Sequence, residues 1–287
     1  MSSEQILIFT DLDGSLLDHY SYQATPAEEI LKQLDYANIP VILNTSKTVA
    51  EVEIIQQKLQ LKSPFIVENG AAIYMPTDTF AQQPEGTETK AGYWVMSFCA
   101  RKDHWLDLLS VHAVEFKHLY QGFSSITASK ISELTGLTLN EARRAKQRDF
   151  GEPINWLGNE SSKKAFIECV IDNGANVVQG GRFIHVGGYC DKGQAMIWLA
   201  EQYRANTHKD AIATIALGDG ENDTTMLEAA DFAVQIRSPI HSYPVLSRQH
   251  KVLQTSLYGP EGWAVAIEQL LTKQLIPIPT NQEVSHG

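Results

Sequence analysis

Two aspartates spaced i, i+2 close the first apolar run of the chain, Ile6-Leu-Ile-Phe9-Thr10-Asp11-Leu-Asp13-Gly14-Ser15. A short β-branched and aromatic run this near the first residue reads as a buried parallel strand. Gly14 permits the bend that turns both carboxylates toward one point. Carboxylates that close repel unless a cation or a shared proton relieves them. A hard divalent cation such as Mg2+ takes oxygen ligands from one or two carboxylates and a phosphate. Alone, such a pair could simply be solvated, so its meaning depends on what the chain brings beside it.

Four further groups qualify. Thr45, Ser46 and Lys47 follow the apolar stretch Pro40–Leu43; Glu68 and Asn69 follow Phe65–Val67; Asp219, Asn222 and Asp223 follow Ile212–Leu217; Lys192 opens a helix in Asp191-Lys192-Gly193. Ligands of open α/β sheets gather outside the carboxyl ends of the strands, so these groups are expected to converge. Several acids, a lysine and a hydroxyl are what phosphoryl transfer through an aspartyl intermediate requires. Asp11 would attack phosphorus, and Asp13 would protonate the leaving alkoxide and then activate water. Lys192 and Thr45 would stabilise the transferring group. Mg2+ would bridge Asp11, Asp219 and a phosphoryl oxygen, with Asp13 and Asp223 completing the metal-binding acids. Bland alternatives stand beside these roles: Lys47 or Lys192 as surface lysines, Glu68 solvated at an Asn-Gly turn, His185 as a core histidine, and the tryptophans as packing.

The elements that position these groups are legible in outline. Thr25-Pro-Ala-Glu28 suggests a capped helix start with Ile30, Leu31 and Leu34 facing inward. Thr48 and Glu51 suggest a second cap, before a helix with Val52, Ile55 and Leu59 on one side. Three successive β-loop-α units predict a doubly wound parallel sheet. Residues 77–92 have linker composition. After them come a strand at 93–99, helices near 104–112, 129–134, 140–147 and 162–171, and strands near 176–178 and 182–186. This predicts an α+β layer inserted into a Rossmann-like α/β core: core at 1–83 and 188–287, insertion at 84–187, hinges near 77–92 and Gly187-Gly188. Gly259–Trp263 would precede a last helix ending at Leu271, and the tail from 277 to 287 would fray.

At 287 residues and 43% hydrophobic content, the chain can bury a sizeable core. A net charge of −11 disfavours nucleic acid and anionic membranes as partners while leaving room for a small anionic substrate at a local basic patch. Cys99, Cys169 and Cys190 lack metal-binding spacing and predict neither a disulfide framework nor a zinc site. With no secretory signature and no apolar stretch of about 18 residues, a soluble cytoplasmic protein is expected. Oligomeric state is not legible.

Asp11-Leu-Asp13-Gly-Ser15, Thr45, Lys192 and Gly218-Asp219-Gly-Glu-Asn222-Asp223 occur in this order, with the insertion between the second and third. In this the chain resembles phosphatases of the haloacid dehalogenase (HAD) superfamily, of the Cof-like type IIB with a C2B-type cap. Ser15 stands where that family more often has threonine and keeps the hydroxyl. Asn44-Thr-Ser-Lys47-Thr, Ile66-Val-Glu68-Asn69-Gly-Ala-Ala, Ala145-Lys-Gln-Arg148-Asp-Phe-Gly-Glu152-Pro153, Gly180-Gly-Arg182-Phe-Ile-His185 and Gly259-Pro-Glu-Gly-Trp263 resemble the mannosyl-3-phosphoglycerate phosphatase family. That resemblance implies Mg2+-dependent hydrolysis of mannosyl-3-phosphoglycerate. It makes Lys47, Glu68, Asn69, Arg148 and Arg182, with Ser46 and Asn222, candidates for holding the substrate; arginine's planar fork suits the glycerate carboxylate. Gly151 replaces a serine associated with the family. Rival readings are a phosphatase of another sugar phosphate such as glucosyl-3-phosphoglycerate, a phosphosugar mutase, and an idle binding module.

Overall fold

The computed structural model describes residues 5–179, 183–206 and 212–272. In chain order the first part holds β1 (Gln5–Thr10), α1 (Thr25–Tyr36), β2 (Val41–Asn44), α2 (Val49–Leu59), β3 (Phe65–Val67), β4 (Ala72–Pro76), β5 (Glu88–Lys90) and β6 (Tyr93–Ser97). A second layer follows: α3 (Lys102–His112), β7 (Tyr120–Gly122), α4 (Ala128–Thr135), α5 (Leu139–Ala145), β8 (Glu152–Trp156), α6 (Glu160–Asp172), β9 (Asn176–Gln179) and β10 (Ile184–Gly187). The chain then returns through α7 (Lys192–Asn206), β11 (Ile212–Gly218), α8 (Thr224–Ala229), β12 (Phe232–Arg237), β13 (Val252–Tyr258) and α9 (Gly259–Thr272).

Among the described residues the large sheet runs β13-β12-β11-β1-β2-β3-β4-β6-β5, and a four-stranded sheet runs β7-β8-β10-β9. From β13 to β3 the pairing is parallel, with β1 between β11 and β2. Ile6 and Ile8 pack on one face with Leu34, Trp263 and Ile267. Leu7 and Phe9 pack on the other with Met196, Leu199 and Leu227. Burial on both faces is why β1 reads as a continuous apolar run. Each such side chain contributes about 1.5–3 kcal/mol of transfer free energy. The expected doubly wound α/β core is therefore present.

Several local expectations change. Glu68–Ala71 is a hairpin turn, and β3 returns as antiparallel β4 instead of entering a helix. The strand expected to open the inserted layer, Tyr93–Ser97, pairs with β4 in the large sheet. Aromatic packing explains the difference: Phe65 and Tyr74 stack and Tyr93 meets both edge-on across the three strands, at 5.5–5.7 Å between ring centres. The stretch of linker composition contains β5, which covers the outer edge of β6. Thr25 is not a cap, since Ala24 takes the N-cap position without a side-chain bond; Thr48 and Glu51 do form a capping box.

The small antiparallel sheet is covered by α3 and α6, with Trp105, Leu109, Ile154, Phe166, Val170 and Val186 in its core. Its β7 and β8 were not legible because Pro153 and the buried acid Glu152 interrupt the strand pattern. Gly259–Trp263 forms the first turn of α9 rather than a preceding segment. Arg182 and the tail at 277–287 lie outside the described residues. No described helix is long and apolar enough to cross a membrane.

Candidate active site

Parallel pairing sends two acid loops out together. Thr10 is level with Leu217, and Asp11 N donates to Leu217 O at 2.9 Å. Lys192, fully buried at the start of α7, reaches Asp11 Oδ1 at 2.5 Å and Asp223 Oδ1 at 2.6 Å. Asp11, Asp219 and Asp223 bring carboxylate oxygens within 4.8 Å of one another. The backbone braces them: Asp219 N and Gly220 N each donate to Asp223 Oδ2 at 3.0 Å. Ser15 Oγ donates to Asp219 Oδ1 at 3.3 Å. Gly14 has a φ of +84°, and a Cβ there would lie 2.6 Å from Asp219 Oδ2, so the bend also makes room for the acid loop.

Burial pushes the Asp11 carboxyl up to about 8; Lys192 opposes the shift, and Asp223, Asp219 and Asp13 add to it. Asp219 is raised by burial and then by Asp223. Burial works against the Lys192 ammonium, but Asp11 and Asp223 outweigh it and hold the charge. One ammonium among three buried carboxylates leaves negative charge unbalanced. An oxygen-only set with that surplus fits a hard divalent cation.

Asp13 has different surroundings. Its Oδ2 accepts from Lys47 Nζ at 2.7 Å, while its Oδ1 is buried without a hydrogen-bond partner. Its carboxylate is thus outside the three-acid cluster. Burial would depress the Lys47 ammonium, but Asp13 and Glu51 raise it. Buried Thr45 holds this loop through Oγ1, which accepts from Lys47 N at 3.2 Å.

Above the loops lies the seam with the inserted layer, built around Glu68. Its carboxylate accepts from three consecutive amides of that layer: Asp149 N at 2.7 Å, Phe150 N at 3.3 Å and Gly151 N at 3.1 Å. Arg148 Nε pairs with the same carboxylate at 3.2 Å, and its Nη2 donates to Ser46 O at 3.0 Å. Asp149 turns back to the large sheet, accepting from Lys90 Nζ at 2.7 Å and Tyr74 OH at 3.2 Å. Asn222 Nδ2 donates to Asn69 Oδ1 at 3.2 Å, joining the loop after β11 to the turn after β3. A cavity of about 70 Å3 beside Glu68 and Arg148 is lined also by Gly151, Asn176 and His185.

Asp11, Asp13, Thr45, Ser46, Lys47, Glu68, Asn69, Arg148, Lys192, Asp219, Asn222 and Asp223 thus surround one edge of the sheet. Three neighbours were missed. His241 Nε2 lies 3.5 Å from Asp219 Oδ2, and Ser238 Oγ lies 3.2 Å from the same nitrogen. Ser238 follows β12, so reading that strand exit like the others would have found it. Asp149 carried no signal, because its partners come from β4, β5 and the loop before α3.

A parallel sheet with four chemically equipped strand ends and an inserted layer above them defines a hydrolase class. Residues 8–242 match the haloacid dehalogenase-like hydrolase family, and the chain belongs to it. It is 36% identical over 270 residues to a glucosyl-3-phosphoglycerate/mannosyl-3-phosphoglycerate phosphatase of Methanococcoides burtonii, covering 93% of this chain and 97% of that one. A protein of the same name from Persephonella marina is 32% identical, covering 93% of this chain and 98% of its own. A haloacid dehalogenase-like hydrolase from Bacteroides thetaiotaomicron shares the fold with a TM-score of 0.67 at 17% identity, covering 93% and 100% of the two chains.

Proposed function

We propose that this chain is a Mg2+-dependent phosphatase that releases phosphate from mannosyl-3-phosphoglycerate through an aspartyl-phosphate intermediate. The glucosyl compound is a second substrate on this reading, because both relatives carry both sugars in their names. The observation that carries the mechanism is the unlike state of two aspartates two residues apart. Lys192 holds Asp11 Oδ1, which leaves Oδ2 to attack phosphorus. Asp13, anchored at one oxygen by Lys47 with the other unpartnered, delivers a proton to the leaving glycerate oxygen and then takes one from water.

Asp11, Asp219 and Asp223 would hold Mg2+, which when bound supplies positive charge against the phosphoryl oxygens. Lys192 and Thr45 orient the transferring group from the protein side. Arg148, fixed by Glu68 and Ser46, faces the cavity at the seam and suits the glycerate carboxylate. The partner is a small phosphorylated sugar in the cytoplasm, and the insertion serves as the cap that closes over it.

Phosphate release from the mannosyl and glucosyl compounds, set beside a panel of other sugar phosphates, tests this. Strong preference for the two, abolished by chelator and lowered at least about 10^4-fold in Asp11→Asn, is expected. Even, weak turnover of the panel would overturn the substrate, and an active Asp11→Asn would overturn the nucleophile.

A further inference from the structure

The chain passes between its two layers twice, at 98–101 after β6 and at 188–191 after β10. Each crossing carries a free, partly buried cysteine, Cys99 in the first and Cys190 in the second. The crossings touch: a Cβ on Gly188 would lie 2.4 Å from Cys99 Cβ and 3.3 Å from its sulfur. Cys190 Sγ donates to Gly188 O at 3.8 Å, so both thiols meet the same glycine. Both cysteines line the seam cavity, which gives a small solute a way in. Cys169 instead donates to His112 O at 3.2 Å within the inserted layer.

We propose that Cys99 and Cys190 are a redox modification site, oxidised by hydrogen peroxide to a disulfide that ties the two crossings together and restrains the inserted layer. The Cys99 sulfur attacks the peroxide and breaks the O–O bond, giving a sulfenic acid and one water. The Cys190 sulfur then displaces the hydroxyl as a second water and forms the S–S bond. Two thiols and one peroxide thus become one disulfide and two waters, each sulfur giving up one electron.

The roles follow from the contact. The neighbouring Cys190 lowers the Cys99 thiol, with burial opposing, while Cys99 and burial push Cys190 up. Cys99 therefore supplies the attacking thiolate. Restraint matters because Glu68, bonded to residues 149–151, closes this part of the seam around a cavity of about 70 Å3. That cavity admits a hexosyl phosphoglycerate when the layers part about these crossings.

The test treats the whole reduced protein with hydrogen peroxide and maps disulfide peptides by mass spectrometry. Phosphate release is assayed before treatment, after it, and after reduction with dithiothreitol. A Cys99–Cys190 peptide, a loss of turnover of at least tenfold and recovery on reduction are expected. Cys99→Ser and Cys190→Ser, each compared with its own untreated activity, should lose most of the peroxide sensitivity, whereas Cys169→Ser should keep it. Absence of the linked peptide, or its full formation with unchanged turnover, overturns the proposal. The turnover readout rests on the phosphatase reading. If the reduced protein is inert toward every phosphomonoester, that reading fails, and hydrogen exchange at 98–101 and 188–191 decides instead: slower exchange after oxidation supports the restraint, unchanged exchange removes it.

Discussion

The loops that carry the acids and the seam above them both depend on a buried carboxylate, but they satisfy it in opposite ways. Asp11 and Asp223 share one side-chain cation, Lys192, with two backbone amides added at Asp223 alone, so charge is paired with charge and a surplus of negative charge remains. Glu68 is met by three backbone amides and by Arg148, so the seam is held by directional bonds to one short segment. The first arrangement keeps an electrostatic demand for a cation. The second spends most of its bonding capacity on holding the layers in place. Chemistry and placement are thus carried by separate carboxylates, and perturbing one should leave the other's signature intact.

Lys192→Met cuts deepest. It leaves Asp11 and Asp223 buried without their cation, a loss of about 3–5 kcal/mol in stability, and turnover should fall by about 10^3-fold. Asp11, already raised and then without the cation that opposes the shift, would favour protonation further, so in denaturant titrations the variant should lose more stability relative to wild type at pH 8 than at pH 5. An equal deficit at the two pH values would contradict the charge-paired account.

Glu68→Gln should act more mildly and on a different parameter. The amide retains one acceptor oxygen but neither the charge opposite Arg148 nor the second acceptor, so stability should drop by about 1–2 kcal/mol. Substrate KM should rise about tenfold with kcat changed less than threefold. A fall in kcat alone would place Glu68 with the chemistry and erase the contrast.

The smallest effect concerns His185 at the seam cavity. Burial and the neighbouring Arg148 hold its imidazole down to about 4. Below an unfolded-state value near 6.5 the unfolded chain takes up a proton that the folded chain does not. Stability contributed by the neutral ring is therefore present above that pH and lost as pH falls from 6.5 toward 4. Wild type should lose about 1–2 kcal/mol more than His185→Gln between pH 7.5 and pH 5 in urea midpoints. Parallel pH profiles would show that the ring is reached by solvent.

How far these regions were legible follows from the same contrast. The acid loops announce themselves because each follows an apolar run, and parallel pairing brings strand ends together whatever the intervening chain does. Lys192 was recoverable from its place at a helix start. The seam was only partly recoverable: Glu68 and Arg148 could be named from resemblance, but the amide clamp depends on backbone groups that every residue possesses. Asp149 depends on partners from β4 and β5, strands whose antiparallel return the Asn-Gly turn hinted at without specifying. The edge strand β13 escaped because most of its residues are exposed and its apolar content is scattered. His241 escaped because it approaches Asp219 from a loop beyond β12.

The central position of β1 bears on how the protein is made. Its partner β11 comes from residues 212–218, and Trp263 of α9, fully buried, donates from its indole to Thr10 Oγ1 at 3.0 Å. During synthesis the strand that presents Asp11 emerges first yet gains these neighbours almost last. The inserted layer, contiguous from α3 to β10, can assemble on the ribosome while β1 still lacks one side of its sheet. A chain stalled before residue 212 would carry a folded inserted layer above an unfinished sheet, and truncations in this region are expected to disperse the acid loops before they remove the layer above them.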